Sequence, residues 1–288
     1  MPEYHRTLRK LLQPGAGLVI PGAANALAAR IVEASGFPVV YMTGAGVANS
    51  SFGGPDMGLV SVTEMVEHLG AMRDAVNVPI VADGDTGFGN ALNVVRTVQL
   101  YERAGASAIQ LEDQVFPKRC GHFENKEVIT TNEMTQKIKA AVDSRKSEDF
   151  MIVARTDAAA VEGFERAIER LSAYREAGAD ALFLEAPGSV DQLRRIPLEV
   201  SGVHFANVVI GGKTPMVPSE QLATMGFAGI LYANAALQAS MQAMKSAMAH
   251  LRTTGSMLGL QDRLISFKDR QMMVDYARWA NLEKIYSA

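Results

Sequence analysis

The sequence is short of several things, and each shortage excludes something. Its 288 residues include one cysteine, Cys120, so no intrachain disulfide can form and a reducing compartment is expected. No apolar run is long enough to span a bilayer; the most apolar stretch, 18–32, is broken by Pro21, Gly22, Asn25 and Arg30. The opening MPEYHRTLRK lacks the apolar segment of a secretory signal, so a cytoplasmic protein without a membrane partner is expected. The formal charge is −3 with no basic block at either end or in the middle, which argues against nucleic acid or an anionic membrane surface as partner. HExxH, a Cys/His cluster, a Walker loop and a GxSxG elbow are all missing, and GFGN at 87–90 lacks the spacing of a dinucleotide fingerprint.

What is there suffices for a large core. Hydrophobic residues make up 48% of the chain, too many for a disordered polymer. Eight short β-rich runs recur: LVIPG (18–22), VVYMTG (39–44), PIVADGD (79–85), AIQLED (108–113), MIVARTD (151–157), ALFLEAP (181–187), HFANVV (204–209) and GILYAN (229–234). Helical patterns lie between them, among others at 91–103, 131–144, 164–177 and 218–225. The runs are mostly uninterrupted rather than alternating, as for parallel strands covered on both faces. Eight such units predict an α/β fold of the (β/α)8 TIM-type barrel class rather than a doubly wound sheet. An internal repeat supports this. RAGASAIQLED (103–113) and EAGADALFLEA (176–186) share a helix end, a glycine suited to the left-handed cap, a strand and a terminal acid. No low-complexity linker divides the chain, so 1–288 reads as one barrel domain with a C-terminal helical extension over about 236–288. There, Met241, Met244 and Met248 fall at helical spacing. They suit either a core-packing helix or one donated to another subunit.

Barrels of this kind carry their active sites at the carboxyl ends of the strands. Those ends supply Thr43 and Gly44, Asp83 and Asp85, Glu112 and Asp113, Arg155 and Asp157, Glu185, and Asn207. Carboxylates converging on one mouth repel one another unless a cation or substrate relieves them. In DGDTGFGN (83–90), two acids one residue apart are expected on the same side of a strand. Oxygen-only ligands suit Mg²⁺ or Mn²⁺ rather than zinc. The plain alternative is an Asp-rich turn closing a strand; Glu112, at the next strand's end, favours the metal. Arg155 suits either an ion pair with Glu112 or Glu185 or a bidentate clamp on a substrate carboxylate, and both can hold in turn. Helix starts near Gly46 and Asn207 would offer N–H groups to further carboxylate oxygens. The site reads as one for a small polyanion held by a divalent cation.

The lone cysteine belongs to this picture. The loop over 113–128 exceeds most βα connections, and long loops at barrel mouths are often lids. Lys118, Arg119 and His122 beside Cys120 favour thiolate over thiol. Such a group moves a proton at a carbon that becomes reactive once the lid closes.

KRCGH at 118–122, DGDTGFGN at 83–90, QLEDQ at 110–114, ARTDA at 154–158, FLEA at 183–186 and GGKTP at 211–215 resemble the isocitrate lyase/phosphoenolpyruvate mutase superfamily. The match runs over about 21–232. It is nearest to the short lyases of the 2-methylisocitrate, 2,3-dimethylmalate and carboxyphosphonoenolpyruvate phosphonomutase-like groups. The resemblance implies a barrel whose last helix is swapped between subunits, in a homotetramer of dimers. It implies Asp85 as a direct Mg²⁺ contact, with Asp83, Glu112 and Asp56 holding the ion directly or through water. It assigns Thr43, Gly44 and Ala45 to the α-keto carboxylate, Arg155, Lys118 and Gly121 to substrate oxygens, and Asn207 and Thr214 to the far side of the pocket. Glu185 becomes a pocket acid, Cys120 the acid/base and His122 its loop neighbour.

The implied activity is Mg²⁺-dependent (Mn²⁺ substituting) carbon–carbon cleavage of a 2-hydroxy di- or tricarboxylate of the 2-alkylmalate or 2-methylisocitrate type. The products would be an α-keto acid such as pyruvate and a second acid. The alternatives are an oxaloacetate decarboxylase or hydrolase, a phosphorus–carbon bond enzyme on the same scaffold, and a non-catalytic carboxylate-binding barrel. Two segments depart from the lyase pattern: YANAA at 232–236 and VVIGGKTP at 208–215. Both border the expected pocket, where they bear on which substrate is taken.

Overall fold

Each of the eight apolar runs forms a strand. The computed structural model describes residues 2–119, 121 and 126–287; Cys120 and His122 lie outside them. The strands are β1 (Leu18–Ala23), β2 (Val40–Met42), β3 (Ile80–Asp83), β4 (Ala108–Glu112), β5 (Met151–Thr156), β6 (Ala181–Leu184), β7 (Val203–Asn207) and β8 (Gly229–Tyr232). They pair in chain order as a closed parallel barrel. The seam is β1 on β8, from Leu18 opposite Gly229 to Pro21 opposite Tyr232. At this seam Gly22 is required by space: a Cβ there would lie 1.8 Å from the Ala233 carbonyl oxygen.

Local chemistry sets the helix limits. The pattern at 131–144 becomes the helix Thr131–Ser144, and that at 91–103 becomes Ala91–Ala104. Asn90 caps the latter, accepting from the Leu92 and Asn93 N–H groups. Gly105 ends it at φ 103°, and Gly178, its counterpart in the repeat, also has φ 103°. The repeated glycine is thus the left-handed turn that returns each helix to a strand.

The pleat positions the site. Along β4, Ile109 and Leu111 join the layer between sheet and helices, whereas Ala108, in the opposite phase, belongs to the inner cluster. That inner phase is apolar low in the barrel and polar at its top. Val81 is followed two residues on by Asp83, Val153 by Arg155, Phe183 by Glu185 and Phe205 by Asn207. Leu8 and Leu12 pack with the inner cluster. Hydrophobic layers therefore support a polar uppermost layer at the carboxyl ends, as expected for this fold.

The helix Ala235–Thr254 has no buried residue in the single chain, and Met241, Met244 and Met248 are about half exposed. Of the two readings of the methionine stripe, core packing within this chain is not what forms. No helix among the described residues is long and apolar enough to cross a membrane.

Candidate active site

The top layer closes around a pocket lined by residues of β2, β3, β4, β5, β6, β7 and β8 and the loops that follow them. Its wall includes Thr43, Ala45, Asp56, Asp83, Glu112, Lys118, Gly121, Arg155, Glu185 and Asn207. Residues up to 193 positions apart in the chain, Tyr41 and Asn234, thus share one cavity. Asp85 lies 3.0 Å from Lys118 Nζ, and Lys118 lines the pocket together with Glu112.

Arg155 is the hub. Its Nε lies 2.8 Å from Asp157 Oδ2 and 3.3 Å from Glu112 Oε2, and its Nη1 lies 3.2 Å from Glu185 Oε2. Register sets this: Glu112 on β4 pairs with Arg155 on β5. The guanidinium carbon is also 5.3 Å from the centroid of the Phe183 ring, a cation–π contact. Both candidate ion pairs for Arg155 are therefore made at once. Burial would lower the guanidinium pKa, but Asp157, Glu185 and Glu112 outweigh it and hold the charge firmly. Burial likewise would raise the Asp157 carboxyl, yet Arg155 and Lys126 keep it below the usual carboxylate range. Glu112 goes the other way: burial raises it well above its ordinary value despite Arg155.

Asp113, beside Glu112 in sequence, has a different task. Its Oδ2 accepts from the Thr156 hydroxyl at 2.7 Å and the Tyr174 hydroxyl at 2.7 Å, and its Oδ1 from the Asp157 N–H at 2.9 Å. It braces the end of β5 from behind the site. The acidic pair in QLED thus splits between pocket wall and scaffold.

The second cluster is built on Lys118. This side chain, 4% exposed, contacts Asp56, and its Nζ lies 3.0 Å from Asp85 Oδ1. Burial pushes the Asp85 carboxyl up to about 6, with Lys118 pulling against it. Asp83 Oδ2 accepts from the Gly44 N–H at 3.2 Å and its Oδ1 from the Asp85 N–H at 3.2 Å. Asp85 does not continue the strand from Asp83, as the spacing predicts; it sits past the end of β3 with φ 46°. The two acids approach each other because the backbone turns, not because they share a pleat.

Residues predicted from sequence take three kinds of place. Asp56, Asp83, Glu112, Arg155, Glu185, Thr43, Ala45, Lys118, Gly121 and Asn207 line the pocket, and Gly44 and Asp85 stand directly behind it. Gly121 packs so closely that a Cβ would lie 2.3 Å from Arg155 Nη2. Thr214 is buried with an unpartnered hydroxyl but is not part of the lining. A helix does begin at this mouth, but at Gly44 rather than Gly46, with Thr43 as its cap. None begins at Asn207, which ends β7; the next helix is Ser219–Met225. Asn234, within the YANAA segment expected to border the pocket but given no role there, accepts through its Oδ1 from the Thr43 hydroxyl at 3.2 Å. The sequence reading overlooked Lys126, whose Nζ donates to Asp157 Oδ1 and to the Gly121 carbonyl, both at 2.6 Å. Asn234 was visible as a polar residue just beyond the eighth strand. Nothing local marks Lys126.

The residues present fit a hard divalent cation. Glu112 Oε1 is buried and accepts no hydrogen bond, Asp85 Oδ1 faces the Lys118 ammonium at 3.0 Å, and the nearby donors of electron pairs are carboxylate oxygens, which suit Mg²⁺ or Mn²⁺. Among the described residues, no three His, Cys, Asp or Glu side chains are grouped as a ready-made ion site. The acids are drawn instead toward Lys118 and Arg155.

Buried acids and fixed cations above a closed barrel are the layout of an enzyme that handles small anions. The phosphoenolpyruvate phosphomutase family matches residues 8–252, and the chain belongs to it and so to the isocitrate lyase/phosphoenolpyruvate mutase superfamily. It is 42% identical to a 2,3-dimethylmalate lyase from Eubacterium barkeri over 97% of each protein. Among solved structures it resembles an oxaloacetate acetylhydrolase bound to 3,3-difluorooxalacetate, with TM-score 0.93 and 32% identity, over 100% of this chain and 98% of that one. A phosphonopyruvate hydrolase in complex with oxalate and Mg²⁺ superposes with TM-score 0.88 and 29% identity over 99% of both chains.

Proposed function

We propose that the chain is a Mg²⁺-dependent carbon–carbon lyase that splits a 2-hydroxy di- or tricarboxylate of the 2-alkylmalate or 2-methylisocitrate type. The observation that carries this reading is the joint arrangement of buried carboxylates, with Glu112 Oε1 accepting no hydrogen bond and Asp85 held by an ammonium alone, and a loop that brings Lys118 and Gly121 into the same pocket. Identity to a lyase at 42% supports it. In this reading Asp85, with Asp83, Glu112 and Asp56, holds the ion directly or through water. When bound, Mg²⁺ polarises the 2-hydroxy carboxylate and stabilises negative charge developing on oxygen.

The protein's own groups perform the remainder. The main chain from Thr43 to Ala45, at a helix start, takes the carboxylate of the α-keto product. Arg155 and Lys118 bind substrate oxygens, Arg155 exchanging one of its carboxylate partners for the substrate. As the hydroxyl gives its proton to solvent water, the C2–C3 bond breaks, C2 becomes the keto carbon and the electron pair passes to the second acid as its enediolate. Cys120 then gives its proton to the enediolate carbon, with His122 beside it. Glu185 fixes Arg155, and Asn207 and Val209 border the far wall, with Thr214 buried behind. Residues 1–288 act as one barrel domain with a helical extension.

A panel of 2-alkylmalates, 2-methylisocitrate, oxaloacetate and phosphonopyruvate, read by pyruvate, oxalate and phosphate release, tests the reaction. Pyruvate from a 2-alkylmalate or 2-methylisocitrate is expected, and it should stop on chelation and return with Mg²⁺ or Mn²⁺. Release from oxaloacetate or phosphonopyruvate alone would move the chain to the rival chemistries of its structural neighbours.

We also propose that the helix Ala235–Thr254 is swapped between two subunits of a homotetramer. Its exposed methionines, with Phe267 and Trp279 further on, are too much apolar surface for a helix facing water. Sedimentation equilibrium should give four times the chain mass. A monomer at micromolar concentration would refute the swap.

A further inference from the structure

A single ammonium group neutralises two of the acids at the proposed metal site, Asp56 and Asp85. Lys118 sits 62 positions from Asp56 and 33 from Asp85, yet its side chain is inserted between them. The main chain beyond it is held separately. The Arg119 N–H donates to Gln114 Oε1 at 2.9 Å, and Gln114 Nε2 donates back to the Arg119 carbonyl at 2.8 Å. The loop base is therefore clamped while the ammonium hangs from a four-carbon stem. A lysine is a compact point charge on such a stem, and the partners it neutralises are the residues that would receive a hard cation.

We infer that Lys118 is the exchangeable counter-ion of the metal site. Without metal, its ammonium neutralises Asp56 and Asp85. A divalent ion entering between the same carboxylates expels it by like-charge repulsion, and the released ammonium turns to a carboxylate of the substrate. This rests on the reading of Asp85 as a metal contact. It goes further by making metal and Lys118 competitors, and by linking metal and anionic ligand through one side chain. Because binding linkage is reciprocal, a dianion that gives Lys118 a new partner must tighten metal binding by the same factor that metal tightens the dianion. It also accounts for the absence of a ready-made ion site among the described residues, since the acids are spread around an ammonium rather than focused on an ion.

Mn²⁺ titration, followed by the electron paramagnetic resonance signal of the free ion, tests this in the wild type and in Lys118→Met, with and without oxalate. Without oxalate the variant should bind Mn²⁺ about tenfold or more tighter than the wild type, a shift within the usual range of coupling between sites. Oxalate should tighten Mn²⁺ binding in the wild type and do so much less in the variant. Equal or weaker binding in the variant overturns the exchange and leaves the metal site standing. No binding by either protein sinks the metal site itself. If Lys118→Met does not fold, reductive methylation of the wild type, read at Lys118 by mass spectrometry, decides. Saturating Mg²⁺ should expose this buried amine and speed its labelling; unchanged or slower labelling overturns the exchange.

Discussion

Replacing Arg155 with methionine is expected to cost about 3–5 kcal/mol of folding stability, the usual penalty for removing one partner of a buried ion cluster. That is a large share of a typical total of about 5–15 kcal/mol. Methionine fills similar volume over Phe183 but leaves Glu112, Asp157 and Glu185 buried without the guanidinium that all three face. The pH dependence distinguishes this from a packing defect. In the wild type, Asp157 is held below its ordinary pKa, so its contribution is present above about pH 4 and is lost in acid. In the variant Asp157 keeps Lys126, but Glu112, already raised by burial, loses the guanidinium that pulls against it and rises further above its unfolded value. Its stability contribution is then retained in acid and lost as pH climbs through the raised pKa. Urea unfolding should show a wider gap between wild type and variant at pH 8 than at pH 5. A gap that is small, or equal at both, would mean that Arg155 is not the electrostatic hub. Binding of pyruvate or oxalate should also fail in the variant, because the same guanidinium is assigned to substrate oxygens.

Cys120→Ser is expected to lower kcat by about 10²–10⁴-fold, the usual share of a positioned proton donor, while Mg²⁺-dependent oxalate binding stays as in the wild type. Serine keeps nearly the same size, but its hydroxyl is a far weaker acid than a thiol near pH 8.5. Its described neighbours in sequence, Lys118, Arg119 and Gly121, line the pocket. Equilibrium binding of oxalate separates the two steps. Unchanged turnover would remove the thiol from the mechanism. Loss of binding together with turnover would make its role structural.

Particular residues show how much of this was legible in advance. The eight strands, the helix over 131–144 and the paired glycines at 105 and 178 follow from local sequence, because period and turn chemistry are properties of neighbouring residues. The strand-end acids were legible for the same reason: a strand's last inward position is fixed by the pleat. Asp113 shows the limit. It looks like Glu112's equal in QLED, and only its contacts with Thr156, Tyr174 and the Asp157 N–H reveal a brace. Asp85 shows another, since its φ of 46° carries it off the strand that the alternating acids suggested.

The sequence alone determined a parallel eight-stranded barrel, its superfamily and the ring of charged residues at its mouth. Hydrophobic periodicity, caps and short motifs are written in contiguous residues. Tertiary structure decided the pairings: Lys118 with Asp56 and Asp85, Lys126 with Asp157 and Gly121, Asn234 with Thr43. It also left the helix Ala235–Thr254 with its apolar face uncovered. A charged side chain's partner is chosen by what the folded backbone brings within a few ångströms in a low-dielectric site, and separation along the chain carries no record of that choice.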